Sequence, residues 1–192
     1  MMHGDGGRDD LDRQRTEVAV LGGGCFWCTE AVFAALAGVV RVESGYCGGA
    51  CAAPAYAQVC SGSTGHAEVV RIEFDPARIT FCQLLEVFFA THDPTTRNRQ
   101  GYDVGSQYRS VIFCQSPRQR REAEAMLAAL TAAGVFAAPI VTELADAQPF
   151  WPAEAEHQAY FARNPQQPYC AALITPKLDK LRRYWPDWLR SA

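Results

Sequence analysis

The sequence predicts a two-layer α/β (α+β) sandwich of the split βαβ, ferredoxin-like kind, with a mixed sheet, helices and a coiled C-terminal segment. Three observations carry that expectation. Short apolar runs with strand character alternate with stretches of helical periodicity, and the alternation forms two strand–helix–strand units side by side. Nearly half of the 192 residues (48%) are apolar, enough for one good core.

The elements follow in order along the chain. Val18, Ala19, Val20 and Leu21 mark a strand over about 16–22, and three glycines (Gly22, Gly23, Gly24) separate it from a helix over 25–37. A strand at 39–46 leads into a loop at 47–66 rich in glycine, alanine and serine, then a strand at 67–74 and a helix at 80–91. A second long loop spans 92–107. Beyond it the pattern gives a strand at 108–114, a helix at 117–133, a strand at 139–144, a helix near 152–163, an extended piece near 169–175 and a last helix at about 177–190. The two long loops are where a function would be built, because connections in a compact domain are usually short. Residues 16–192 read as one catalytic domain. The charged, glycine-containing stretch 1–15 has no apolar core of a signal peptide, and reads as a flexible polar tail on a cytoplasmic protein.

Composition narrows the partners. Net charge is −3 and no basic block exceeds a few residues, which argues against nucleic acid; no apolar run is long enough for a membrane span. Eight cysteines are many for a cytoplasmic chain and too scattered for a disulfide scaffold. In a reducing compartment they should be free, catalytic or metal-bound.

Two positions carry chemical signals. Cys25 falls where the first strand gives way to a helix, and the unpaired N–H groups and positive dipole end there favour thiolate over thiol. Cys25 is thus a candidate nucleophile, although Cys25, Cys28, Val32 and Leu36 also form a stripe at helical spacing that could simply be core. Glu68 falls on the same face of its strand as Val70, Ile72 and Phe74, where lost hydration would raise its pKa and keep it protonated; its place at the strand end also leaves water within reach. Two further readings compete. Cys25-x-x-Cys28 after a strand suits a general thiol–disulfide oxidoreductase, and Cys25, Cys28, Cys47 and Cys51 come close to the spacing of a zinc module.

Five segments together resemble the type A peptide methionine sulfoxide reductases: GGGCFWCTE (22–30), ESGYCGG (43–49), YAQVCSGSTGHAEVV (56–70), FFATHDPTTRNRQGYDVGSQYRSVIF (88–113) and NPQQPYC (164–170). The likeness runs from about Glu17 to Arg183. It implies thiol-dependent reduction of the S epimer of methionine sulfoxide, protein-bound or free, in the repair of oxidised proteins. Cys25 would attack the sulfoxide sulfur, and Glu68 would give a proton to the oxygen. Tyr56 and Tyr108 would hydrogen-bond that oxygen, Asp103 would orient the substrate amide, and Phe26 and Trp27 would wall a slot for the S-methyl group.

The cysteine sulfenic acid would then condense with a second thiol, Cys170 being preferred and Cys28 the other candidate, and thioredoxin or dithiothreitol would reduce the disulfide. No cofactor, no metal and a monomer are expected. The chain departs from the family pattern at Tyr102, where asparagine is common, and at Cys47, Cys51, Ala53 and Ala55 in the first long loop. Cys47, Cys51, Cys60, Cys82 and Cys114 read as bystanders.

Overall fold

The computed structural model describes residues 16–191, so the expected tail at 1–15 lies outside the described residues. Its strands are β1 (Glu17–Gly23), β2 (Val39–Cys47), β3 (Ala67–Phe74), β4 (Arg99–Gln100), β5 (Asp103–Val104), β6 (Ser110–Cys114), β7 (Glu143–Asp146) and β8 (Phe150–Pro152). The helices are α1 (Phe26–Ala34), α2 (Tyr56–Cys60), α3 (Phe81–Thr91), α4 (Pro117–Ala132), α5 (Tyr160–Arg163), α6 (Pro168–Leu173) and α7 (Thr175–Tyr184).

Six strands form one sheet in the order β7-β6-β1-β3-β2-β8, in which only β6 and β7 pair in parallel. β3 lies between β1 and β2, which α1 connects, and β1 lies between β3 and β6, which α3 connects. Two interlocked split βαβ units result, so the expected ferredoxin-like architecture is present. β8 extends it on one edge and β7 on the other.

Period-two alternation decides the two faces. Ala19 and Leu21 on β1, Val70, Ile72 and Phe74 on β3 and Ile112 on β6 face the helical layer, where Val32, Phe33 and Leu36 meet Phe81, Leu84, Leu85 and Phe88. Val20, Val69, Val111 and Phe113 line the opposite face as a smaller cluster. Each fully buried aliphatic or aromatic side chain adds about 1.5–3 kcal/mol, so the helical face dominates stability. At the start of α3, Thr80 Oγ1 accepts the Gln83 N–H at 3.2 Å and Gln83 Oε1 accepts the Thr80 N–H at 2.9 Å. This reciprocal cap contributes about 1 kcal/mol. At its other end His92 Nδ1–H donates to the Phe88 carbonyl at 2.6 Å, leaving Nε2 to accept from the Ser110 hydroxyl at 2.8 Å, and burial pushes the ring's pKa down to about 4. A neutral imidazole therefore ties α3 to β6.

The C-terminal third departs from expectation. The helix expected over 152–163 is instead β8, a 3-10 turn at Ala155–His157 and the short α5. The cause is tertiary: Gln158 accepts the Ser44 N–H at 2.9 Å and donates to the Ser44 carbonyl at 2.8 Å, like one more rung on the edge of β2. Ala159 then adopts a left-handed φ of 49°, incompatible with a continuous helix, and gives its N–H to Glu30 Oε1 at 2.9 Å. The piece expected to be extended at 169–175 is the helix α6, with Pro168 in its first turn and the Gln167 side chain accepting the Cys170 N–H at 3.0 Å.

The last helix ends at Tyr184 rather than 190, two residues short of Pro186. The strand expected at 139–144 starts only at Glu143, because the Val141 N–H is spent on the Pro94 carbonyl at 2.8 Å. The expected loops also hold short elements, α2 in the first and the β4–β5 hairpin in the second.

Candidate active site

β1 runs into the sheet centre, and Gly24, with a φ of +98°, turns the chain off it so that Cys25 becomes the residue capping α1. A side chain at Gly24 would strike Gln100 at 2.6 Å, so glycine is required there on both counts. From β3, directly beneath, the Glu68 carboxyl oxygen Oε2 accepts the backbone N–H of Phe26 at 3.0 Å.

Glu68 is 1% exposed, so the strand-end access to water considered from the sequence is absent. Burial, with the nearby Cys25 sulfur adding to it, pushes the Glu68 pKa well above the usual carboxylate range, and the single hydrogen bond from Phe26 only partly offsets this. Of the two readings that the alternation of β3 left open for Glu68, burial is the one present.

The thiol itself behaves differently from expectation. Cys25 is held well above the ordinary thiol pKa, first by its hydrogen bond with the Cys28 thiol and then by burial, while Tyr169 and the Trp27 N–H pull weakly the other way. Cys28 is lowered, chiefly by that same bond from Cys25, helped by the nearby Lys177 charge. The proton of the pair is thus drawn toward Cys25 and away from Cys28. The expectation from the helix terminus left out this second sulfur one turn away, which acts in the opposite direction.

The remaining residues expected from the sequence gather round this point. Cys170, fully buried at the start of α6, packs into one cluster with Cys25, Cys28 and Ile174, and Tyr108 lies against it. Phe26 is buried under an aromatic stack, 5.8 Å from Tyr46, 5.5 Å from His157 and 6.4 Å from Tyr56, centroid to centroid. Trp27 lies flat on Tyr160 at 3.8 Å and meets Tyr169 edge-on at 6.0 Å. Burial raises the pKa of both Tyr56 and Tyr108, so these phenols stay protonated donors. Asp103, on β5, accepts the Tyr169 hydroxyl at 2.7 Å.

Some of the site was not foreseen. Tyr169 donates to Asp103 and packs against the cluster of thiols, closing the site from the C-terminal segment; its neighbour Cys170 drew attention, and the adjacent tyrosine in the same motif was the available signal. Glu154 accepts the Tyr46 hydroxyl at 2.8 Å and the Tyr56 N–H at 2.7 Å and so fixes α2 over the site, a role with no local sequence signal. Cys60 hydrogen-bonds Tyr56 and lies near enough to Glu68 and Cys25 to feel their charge, so its sulfur is at the site's rim rather than remote.

The zinc alternative finds no support. Cys47 bonds the Gln148 carbonyl, Cys51 points to the Ala52 carbonyl, and no group of three or more histidine, cysteine, aspartate or glutamate side chains suited to a metal ion occurs among the described residues. Among them, too, no helix is long and apolar enough to cross a membrane.

The fold and the paired thiols with their buried acid define a cysteine-dependent oxidoreductase. The chain belongs to the peptide methionine sulfoxide reductase family, type A: the model of that family matches residues 17–189. It is 61% identical over 184 residues to the peptide methionine sulfoxide reductase MsrA of Ralstonia nicotianae, covering 94% of this chain and 96% of that one. Among solved structures it resembles Mxr1 of Saccharomyces cerevisiae in reduced form, with a TM-score of 0.73, 33% identity and coverage of 83% and 91% of the two chains. Methionine sulfoxide reductase A of Corynebacterium diphtheriae gives a TM-score of 0.70 and 37% identity, covering 81% and 78%. The yeast protein has also been solved in complex with Trx2, a structure that shares only the fold with this chain by its 24% identity and TM-score of 0.51 over 78% and 87% of the two chains.

Proposed function

We propose that this enzyme reduces the S epimer of methionine sulfoxide, in proteins and as the free amino acid, with Cys25 as nucleophile and Glu68 as acid. The observation that carries the assignment is the Glu68 carboxyl, buried and hydrogen-bonded to the residue next to Cys25. In the first half-reaction the Cys25 proton passes to the Cys28 sulfur, the Cys25 thiolate attacks the sulfoxide sulfur, and Glu68 protonates the oxygen as its bond to methionine breaks. Methionine leaves reduced, and the oxygen ends on Cys25 as a sulfenic acid. Tyr56 and Tyr108 serve as donors to that oxygen. Phe26 and Trp27 take the S-methyl group against aromatic surface, and Asp103 takes the substrate amide.

For substrate to reach Asp103 the Tyr169 hydroxyl must leave it. The closed arrangement is therefore read as the substrate-free state.

In the second half-reaction a thiol displaces the sulfenic oxygen as water. The mutual influence of the Cys25 and Cys28 sulfurs, one helical turn apart in a single cluster, supports Cys28 as the first resolving thiol, ahead of the Cys170 preferred from the sequence. Cys170, whose pKa burial raises, is buried in the same cluster, which supports reading it as the thiol that takes the disulfide onward. A thioredoxin-type dithiol completes the cycle, in keeping with the yeast relative solved with Trx2. No cofactor is invoked, and the enzyme is read as a cytoplasmic monomer whose catalytic domain is residues 16–192. A general disulfide oxidoreductase would leave the buried acid without a task.

Trapping tests this reading. In Cys28→Ser/Cys170→Ser, one equivalent of methionine should form and dimedone should label Cys25. Methionine formation without a label on Cys25 would remove the sulfenic acid from the scheme.

A further inference from the structure

Lys177 sits in the first turn of α7, and its ammonium donates to the carbonyl of Thr91, the last residue of α3. Cys28, Thr91, His92 and Lys177 line one small crevice between α1, α3 and α7. Lys177 makes no ion pair with a carboxylate among the described residues. An inward-turned ammonium is costly unless negative charge faces it. The carbonyl end of α3 supplies only part of that charge, and it already has a second cation, Lys180, donating to Ala90 at 2.6 Å.

The groups facing the ammonium are few. His92 is neutral, and Lys180 on α7 is a like charge. Asp93 follows His92, but its carboxylate is engaged by Thr95 at 2.9 and 2.6 Å. Across the thiols, Asp103 holds the Tyr169 hydroxyl, while Glu68, on the far side of Cys25, is kept protonated by burial. That leaves the Cys25 and Cys28 sulfurs as the anionic partner.

We propose that Lys177 is the counter-ion of this thiol pair, a positioning residue that holds Cys28 as thiolate and readies it to close the disulfide on Cys25. The proposal rests on the reading of Cys28 as first resolving thiol. In the step concerned the Cys28 thiolate attacks the sulfur of the Cys25 sulfenic acid. A sulfur–sulfur bond forms, the sulfur–oxygen bond breaks, and the departing hydroxide takes up a proton to leave as water. The ammonium shares the crevice with Cys28 and is tied to the end of α3, so its charge is held without being consumed.

The test is the pH dependence of carboxymethylation of the reduced, full-length protein, with the labelled cysteine located by peptide mass spectrometry. Lys177→Gln keeps a donor for the Thr91 carbonyl and loses the charge. It should move the Cys28 midpoint up by about one unit, a roughly tenfold loss of labelling at pH 7. Lys177→Arg should restore the low midpoint, and Lys180→Met, which removes the neighbouring tie to α3, should leave it unchanged.

Lys177→Met gives the same reading with no donor left and serves if the glutamine variant fails to fold. An unchanged Cys28 midpoint in the uncharged variants, or an equal shift in Lys180→Met, would overturn the proposal in favour of a purely structural cap on α3. Disulfide mapping after one turnover judges the underlying reading separately. A Cys25–Cys170 bridge formed first in the wild type would sink the resolving role of Cys28, and with it Lys177's part in that step, whatever the titration shows.

Discussion

The Glu68 carboxyl accepts the backbone N–H of Phe26 at 3.0 Å, and this contact joins the centre of the sheet to the start of the helix that carries the nucleophile. It sets the acid within reach of whatever lies over Cys25 while keeping water out. Removing the proton without changing the shape isolates its part. Glu68→Gln should slow the sulfoxide-reduction step by about two to four orders of magnitude, with Cys25 still alkylatable. The wild-type rate constant should fall as pH rises through the raised Glu68 pKa, and the glutamine variant should lose that limb. Near-wild-type single-turnover rates in Glu68→Gln would pass the proton to Tyr56 or Tyr108.

The Tyr169 hydroxyl competes with substrate for Asp103. Tyr169→Phe deletes one hydrogen bond, worth about 0.5–1.5 kcal/mol, and should lower KM by about two- to tenfold with the single-turnover rate at saturation little changed. Asp103→Asn should move KM the other way. A Tyr169→Phe variant with a raised KM would show that the hydroxyl binds substrate rather than guarding the site.

The three buried thiols predict distinct phenotypes. Cys25→Ser should abolish reduction. Cys28→Ser should still make one equivalent of methionine but accumulate sulfenic acid, and Cys170→Ser should form the Cys25–Cys28 bridge and then turn over poorly with thioredoxin. Disulfide mapping by mass spectrometry separates them. Prompt bridge formation in Cys28→Ser together with full thioredoxin-linked turnover would return the resolving role to Cys170.

His92 makes stability depend on acid. Its folded pKa of about 4 lies below the ordinary 6.5, so between those values the unfolded chain binds the proton and the native one does not. Stability from this group is full above about pH 6.5 and is lost as pH falls through the window, by about 3 kcal/mol in all. Glu68 has the opposite sign, since its raised pKa makes the native state less stable as pH rises above the ordinary glutamate value. The comparison is therefore urea denaturation of wild type against His92→Gln across pH 4–7. The variant should be less stable at neutral pH and should lack the acid slope; a parallel slope in both would assign it to another group.

Legibility from sequence followed the range of the interactions. β1, β2, β3, α1, α3 and α4 were readable because alternation, helical periodicity and caps such as Thr80 with Gln83 act within a few residues. So was Glu68, whose place among Val70, Ile72 and Phe74 is a local pattern with a chemical consequence. The stretch after Pro152 was misread because Ser44 and Glu30, each more than a hundred residues away in the chain, impose its conformation. α6 carried a usable signal in Gln167-Pro168 that was outweighed by its neighbours. The pKa of Cys25 was hard to read for a similar reason, since the Cys28 sulfur and burial act on it against the helix terminus.

The central claim is that Cys25, aided by Glu68, reduces the S epimer of methionine sulfoxide. The most direct measurement is a single turnover of the pre-reduced enzyme with separated S and R epimers of a methionine sulfoxide peptide, following methionine and the loss of Cys25 thiol together. The account predicts stoichiometric methionine from the S epimer, none from the R epimer, and loss of the S reaction in Cys25→Ser. Reduction of the R epimer alone, or of the S epimer with Cys25 absent, would contradict it.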